Sequence, residues 1–179
     1  MITFRRITDT SEPIYRWIEA LLTEAFPEEE RRDNNKQSEL INTREDFHCN
    51  LLEEDGVAVG LMNYWALNGF VFLEHFAVDS SKRNGGFGQK ALNTLKEEVH
   101  FPIILEAEEP HDDLSKRRIG FYERQGFELL DIEYFQPPYR KEDGYLPLKL
   151  MTFGDLHMDT HHQDVIDEIY QKVYDIHKE

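Results

Sequence analysis

The chain opens on ITFRRI, whose alternating apolar and polar positions have the two-residue period of a half-buried strand. SEPIYRWIEALLTEAF then places Ile14, Trp17, Ile18, Leu21, Leu22 and Phe26 at helical spacing. Ser11 offers a hydroxyl N-cap to that helix, and Pro13 suits its first turn. PEEERRDNNKQS carries charge without a period, which predicts a surface connection and then a short helix around Glu39 to Thr43, where part of a substrate lip could sit. DFHCNLLEE, VAVGLMNYWAL and FVFLEHFAV follow, separated by Asp55-Gly56 and Asn68-Gly69, dipeptides suited to the positive φ angles of tight hairpins. Three consecutive antiparallel strands are expected there. Beyond them Phe87, Ala91, Leu92 and Leu95 mark a helix and FPIILEAEE a buried strand. LSKRRIGFYERQGFELLDIEYF reads as a helix that stops at Gly126 and returns as a strand, and LPLKLMTF as a last strand. From about Asp159, Val165, Ile166, Ile169, Tyr170 and Val173 form one stripe, expected to dock a terminal helix on the body.

With 179 residues and 40% hydrophobic side chains the chain can bury one sizeable core, so a single domain is expected. Twenty Lys and Arg against 36 Asp and Glu give a formal net charge of −16. That excess repels phosphate backbones and anionic lipid, so neither nucleic acid nor a membrane surface is expected as a partner. MITFRRITDT has no apolar signal core, no segment reaches the roughly 20 apolar residues of a membrane span, and Cys49 has no second cysteine to pair with. The expected compartment is the cytoplasm. Within DFHCNLLEE, Cys49 reads as a structural strand residue.

The glycines of EHFAVDSSKRNGGFGQKAL raise the question of a ligand. Gly86 to Ala91 satisfies G-x-G-x-x-G/A, and Glu106 or Glu108 lies at about the distance of a ribose-binding acid. A dinucleotide fold, however, turns from strand to glycine almost at once and begins with a parallel βαβ unit, whereas here Asp79 to Gly85 intervene and hairpins come first. Two readings of residues 83 to 88 stay open. Small residues at a helix N-terminus can expose backbone N–H groups to a pyrophosphate, with Lys82 and Arg83 adding positive charge, or the segment is a glycine-rich turn that binds nothing.

RNGGFG, with Arg83, Gly86 and Gly88, resembles the acyl-CoA loop of the GNAT (GCN5-related) N-acetyltransferases, and it lies between a strand and an amphipathic helix as it does there. RRIGFYERQGF is similar to the second signature of that family, through Phe121, Tyr122, Gly126 and Phe127. The resemblance covers roughly residues 1 to 153. It implies an α/β fold with a central mixed, mostly antiparallel sheet of about seven strands flanked by helices. The tail, residues 154 to 179, is expected as a helical extension packed on the same domain. It further implies acetyl-CoA as cosubstrate, with Phe76, Ala77 and Val78 lending backbone groups to the pantetheine arm and Arg83, Asn84, Gly85, Gly86, Phe87 and Gly88 holding the pyrophosphate. A homodimer is expected only by analogy with relatives.

Acetyl transfer to an amine needs a deprotonated nucleophile and a proton or hydrogen bond for the departing thiolate. A primary amine with a pKa near 10.4 must lose a proton to a base or a water relay. Glu74 is the first candidate, an acid mid-strand in an apolar run, with a satisfied structural carboxylate as the alternative; His75, Glu106 and Glu108 follow. Strand alternation puts Glu74 and His75 on opposite faces unless a bulge intervenes. Tyr122 matches the family position that serves the thiolate as general acid. His157, His161 and His162 with Asp159 read as a solvated turn, and no metal is expected. Tyr134, Tyr139 or Arg140 of YFQPPYRKEDGYLPL is expected to shape the acceptor pocket. The resulting expectation is an N-acetyltransferase that moves acetyl to a primary amine of a small molecule or peptide by direct attack in a ternary complex. The competing reading is a non-catalytic acyl-CoA-binding or regulatory module.

Overall fold

The computed structural model describes residues 1–177, in which the chain falls into two compact units: residues 1–66 with 73–100, and residues 67–72 with 101 onward. In the first unit the N-terminal alternation forms β1 (Ile2–Ile7), which pairs antiparallel with β2 (Phe47–Glu54), itself antiparallel to β3 (Val57–Ala66). The β2–β3 turn is the one that Asp55-Gly56 predicts, with both residues at positive φ, 53° and 76°. Beside β3 lies β4 (Val71–Val78). Successive residues Leu51 and Leu52, and Leu61 and Met62, are all fully buried, so both faces of these strands are covered. The covering helices are α1 (Tyr15–Ala25) against β3, α2 (Asn34–Thr43) against β2 and α3 (Phe87–Val99) against β1. Truncating one such leucine to alanine costs about 2–5 kcal/mol.

Two helix boundaries differ from the sequence reading. Ser11 does not cap α1; its backbone N–H donates to the Asp9 carboxylate at 2.8 Å, and the helix begins at Tyr15 with no side-chain cap. α2 is twice the predicted length because Asp33 caps it, accepting the Lys36 backbone N–H at 2.9 Å. Its first turns carry little apolar side chain, so periodicity cannot see them.

In the second unit the central strand is β8 (Leu146–Phe153), antiparallel to β5 (Ile103–Ala107). The returning strand expected after Gly126 is interrupted. It forms β6 (Glu128–Leu129) and β7 (Tyr134–Gln136), both paired with β8, and the total is eight strands among the described residues rather than about seven. Leu129 faces Met151 and Tyr134 faces Leu148, so six residues, 129–134, answer four, 148–151. Two residues of the 130–133 stretch are therefore surplus to the ladder. α4 (Asp113–Arg124) starts with a reciprocal capping box between Asp112 and Ser115. α5 (Met158–Val173) realises the terminal stripe, with Val165, Ile166, Ile169 and Val173 buried and a kink at His161. Among the described residues no helix is long and apolar enough to cross a membrane.

Candidate active site

The first unit holds the glycine loop. After β4 the chain makes a short 3-10 turn, Ser80–Lys82, in which the Asp79 carboxylate accepts the Ser81 backbone N–H at 2.8 Å and its hydroxyl at 2.7 Å. Those two bonds hold the Asp79 carboxyl below its usual range. Arg83, Asn84 and Gly85 are exposed. Gly86 is the N-cap of α3 at φ 71°, a left-handed conformation that glycine adopts without strain, and no side chain caps the helix. A helix start without a side-chain cap keeps its first N–H groups available, with the helix dipole behind them. Phe87 and Gly88 form the first turn, and Lys90 crosses over the Phe87 ring at 5.1 Å to pair with Glu54 at 2.7 Å. Phe76, Ala77 and Val78, at the end of β4, are half-buried, whereas Phe72, Leu73 and His75 are buried. Neighbouring Gly60 lets β3 come close to this strand end: a Cβ there meets the Ala77 carbonyl oxygen at 2.4 Å.

Glu74 lies deeper, with its side chain 1% exposed and its carboxylate 2.6 Å from the Arg32 guanidinium, which is 7% exposed. The Trp65 indole N–H donates to the other carboxylate oxygen at 3.1 Å. Arg32 and Arg44 lie 5.6 Å and 5.1 Å from the Trp65 ring, and Arg44 grips Asp46 through two bonds of 2.9 and 2.7 Å. His75 Nε2 is 2.8 Å from the Glu30 carbonyl oxygen. Because a carbonyl only accepts, Nε2 is the protonated nitrogen. Burial pushes the His75 pKa down, so the ring is neutral, and it meets Phe26 edge-on at 4.7 Å. Both neighbours on β4 thus reach the α1–α2 connection, through Arg32 for one and Phe26 and Glu30 for the other.

The second unit holds Tyr122, half-buried near the end of α4, with the Phe121 and Phe127 rings edge-on at 5.3 and 5.5 Å. These apolar surroundings push its hydroxyl pKa up to about 12, with the Arg118 charge opposing. Arg118 itself pairs with Glu108 at 3.0 Å. On β5, Glu106 accepts hydrogen bonds from the Tyr134 hydroxyl, from Gln136 Nε2 at 2.9 Å and from the Tyr174 hydroxyl. Of the residues expected at an acceptor pocket, Tyr134 is buried with its hydroxyl committed to Glu106, Tyr139 packs against Tyr174 at 5.1 Å, and Arg140 lies 3.9 Å from Asp143. His157 pairs with Asp155 at 3.2 Å ahead of α5, and no metal-binding group of three His, Cys, Asp or Glu side chains gathers among the described residues. Cys49 is buried, and its thiol is raised to about 12 by burial.

Sequence reasoning missed Arg32, Trp65, Gln136 and Tyr174. Only Tyr174 left a trace, one turn beyond Tyr170 on the α5 stripe.

The family model described as the acetyltransferase (GNAT) family matches residues 11–127. A structure from Bacteroides thetaiotaomicron, described as a GNAT-family acetyltransferase, is 36% identical, superposes with a TM-score of 0.94, and pairs 98% of this chain with 99% of that one. An aminoglycoside 6'-N-acetyltransferase complexed with coenzyme A is 18% identical over 86% of this chain and 96% of its own, at TM-score 0.62. The ribosomal-protein-S18-alanine N-acetyltransferase from Escherichia coli is 21% identical over 86% and 93%, at TM-score 0.59. The last two share the fold. Among curated proteins none matches the sequence.

Proposed function

Because the chain belongs to the GNAT acetyltransferase family, we propose that it moves an acetyl group from acetyl-CoA to a primary amine of a small molecule or peptide, by direct attack in a ternary complex. The observation that carries this reading is the start of α3, where left-handed Gly86 and the missing side-chain cap suit a pyrophosphate. Residues 83 to 88 take that role, with Arg83 as the local cation, and the half-buried strand end Phe76, Ala77 and Val78 receives the pantetheine arm. The coenzyme A in the aminoglycoside enzyme supports the choice of cosubstrate.

Tyr122 serves the departing thiolate. Pushed up to about 12, its hydroxyl is a weaker acid than an ordinary thiol, near 8.5, and holds its proton. It therefore acts as a hydrogen-bond donor that stabilises the thiolate, which solvent then protonates. For the amine proton, Glu74 was the first sequence candidate, yet its carboxylate is engaged by Arg32 and Trp65, and His75 is neutral and bonded to Glu30. This reading gives the proton to a water relay and assigns Glu74 to holding Arg32. It treats residues 1–153 as the acetyltransferase domain and 154–179 as its helical extension, of which 178 and 179 lie outside the described residues. A cytoplasmic homodimer is the working assignment for place and assembly.

The deciding experiment follows thiol release from acetyl-CoA against a panel of amines and basic peptides. Acceptor-dependent release establishes the enzyme. Tight acetyl-CoA binding with no acceptor raising the rate favours the non-catalytic acyl-CoA-binding module, and NAD competing with coenzyme A points to a nucleotide site.

A further inference from the structure

Two neighbouring residues of the loop before α3 are glycine for different reasons. Gly86 takes a left-handed φ of 71°, a value that Asn84 shares. Gly85 does not, but a Cβ there would fall within 3.0 Å of the Cε2, Cδ2 and Cζ atoms of Phe87. The Phe87 ring therefore folds back onto the loop that precedes it. On its other side stands Lys90, three residues further along α3 and so on the same helix face, with its ammonium group 5.1 Å from the ring centre. That ammonium group is held 2.7 Å from the carboxylate of Glu54, the last residue of β2, and the Met1 amino group lies 3.4 Å from the same oxygen. Glu54, Lys90, the Phe87 ring and Gly85 thus form one continuous line of contacts from a strand end to the glycine turn.

On the reading given above, in which residues 83 to 88 hold the pyrophosphate, we infer that Lys90 is a positioning residue for the coenzyme loop: anchored on Glu54, it keeps the Phe87 ring seated on Gly85 and so fixes the peptides around Gly86 before the ligand arrives. A loop that is already ordered loses less conformational freedom on binding, and the difference is read as affinity. A lysine this near an anion site could instead act on the phosphates through its charge. The two roles predict opposite signs for the removal of Glu54. A lysine acting by charge is hindered by the carboxylate beside it, so binding tightens without Glu54. A lysine acting through the ring loses its anchor, so binding weakens. The observed geometry, with the ammonium group over the ring and on the carboxylate together, is that of the second role.

The test measures acetyl-CoA Kd by calorimetry for wild type, Glu54→Gln, Lys90→Met, the double variant of these two, Lys90→Arg and Gly85→Ala. Backbone order parameters of residues 84–88, from NMR relaxation of the free proteins, give a second readout that needs no ligand. Glu54→Gln and Lys90→Met are each expected to raise Kd about two- to fivefold, the range of an exposed ion pair. The double variant is no weaker than Lys90→Met, because both changes break the same line. Lys90→Arg restores most of the affinity, since a guanidinium both stacks on a ring and pairs with a carboxylate. Gly85→Ala, which pushes the ring away without changing a charge, weakens binding as well, and the order parameters of 84–88 fall in Glu54→Gln. Tighter or unchanged binding in Glu54→Gln overturns the inference, as does unchanged binding in Gly85→Ala. A wild-type protein that binds no acetyl-CoA overturns the proposed cosubstrate; the brace itself then stands if the loop loosens in Glu54→Gln and falls if it does not.

Discussion

Replacing Arg32 with methionine takes the cation away from a carboxylate whose side chain is 1% exposed and 2.6 Å from it. The Trp65 N–H remains, at 3.1 Å, but neutral His75 brings no charge to compensate. Removing one partner of a buried ion pair costs about 3–5 kcal/mol, because the remaining charge has given up its water and lost its counter-charge. With a urea slope of about 2 kcal/mol/M, the unfolding midpoint of Arg32→Met falls by roughly 1.5–2.5 M. The double variant Arg32→Met/Glu74→Leu removes both charges of the pair and takes the acceptor from the indole N–H, a loss of about 1–3 kcal/mol. It is expected to be more stable than Arg32→Met, although it carries one more substitution. Arg32→Lys provides a milder point on the same curve should the methionine variant be too unstable to purify. A double variant no more stable than Arg32→Met, with losses that simply add, refutes the clamp. Kinetics give a second check on the same residue. As a holder of Arg32, Glu74→Gln keeps kcat of the folded enzyme within about tenfold, whereas loss of a general base costs about 10²- to 10⁴-fold.

Tyr122→Phe is expected to lower kcat by about 10²-fold or more while the acetyl-CoA Kd hardly moves, and unchanged turnover removes Tyr122 from the mechanism. His48, stacked on Tyr64 at 4.6 Å, has its pKa lowered to about 4 by burial first and Arg6 second, against 6.5 for the free side chain. Between those values the unfolded chain binds the proton and the folded one does not, so stability falls as pH drops from about 6.5 toward 4, and His48→Gln flattens the upper part of that fall in chemical-denaturation curves. Cys49, buried with its thiol raised to about 12, should ignore a disulfide dye such as DTNB at pH 8 in the native state and react once the protein is unfolded in urea; rapid native labelling contradicts the burial.

The features legible in the sequence are those written in short-range patterns. Asp55-Gly56 set a hairpin, the stripe through Ala91, Leu92 and Leu95 set α3, and the stripe through Val165 and Ile169 set α5. The glycine turn that opens α3 was legible because its residues are neighbours in the chain. α1 began later than its polar residues suggested, since Ser11 bonds to Asp9 rather than to the helix. The Arg32–Glu74 pair and the Tyr174–Glu106 contact had no such signature. The latter joins residues 68 apart, and contacts at that separation leave no periodic trace in the chain. Glu74 stands out in the sequence as an acid in an apolar run, a base candidate or a satisfied structural carboxylate, but its pairing with Arg32 is a property of the fold. The break between β6 and β7 was equally hidden, because a two-residue slip against β8 alters pairing without altering composition.

The 68 residues between Glu106 and Tyr174 also set a timetable for the nascent chain. At roughly 5–20 residues per second, about 3–14 s of synthesis separate the two, and β8, the strand that pairs with β5, is itself made only in the second half of that interval. During that wait the carboxylate stands in water beside an unzipped strand edge. Chaperones that shield such edges, and proteases that sample them, therefore meet this segment before its last hydroxyl donor has been made.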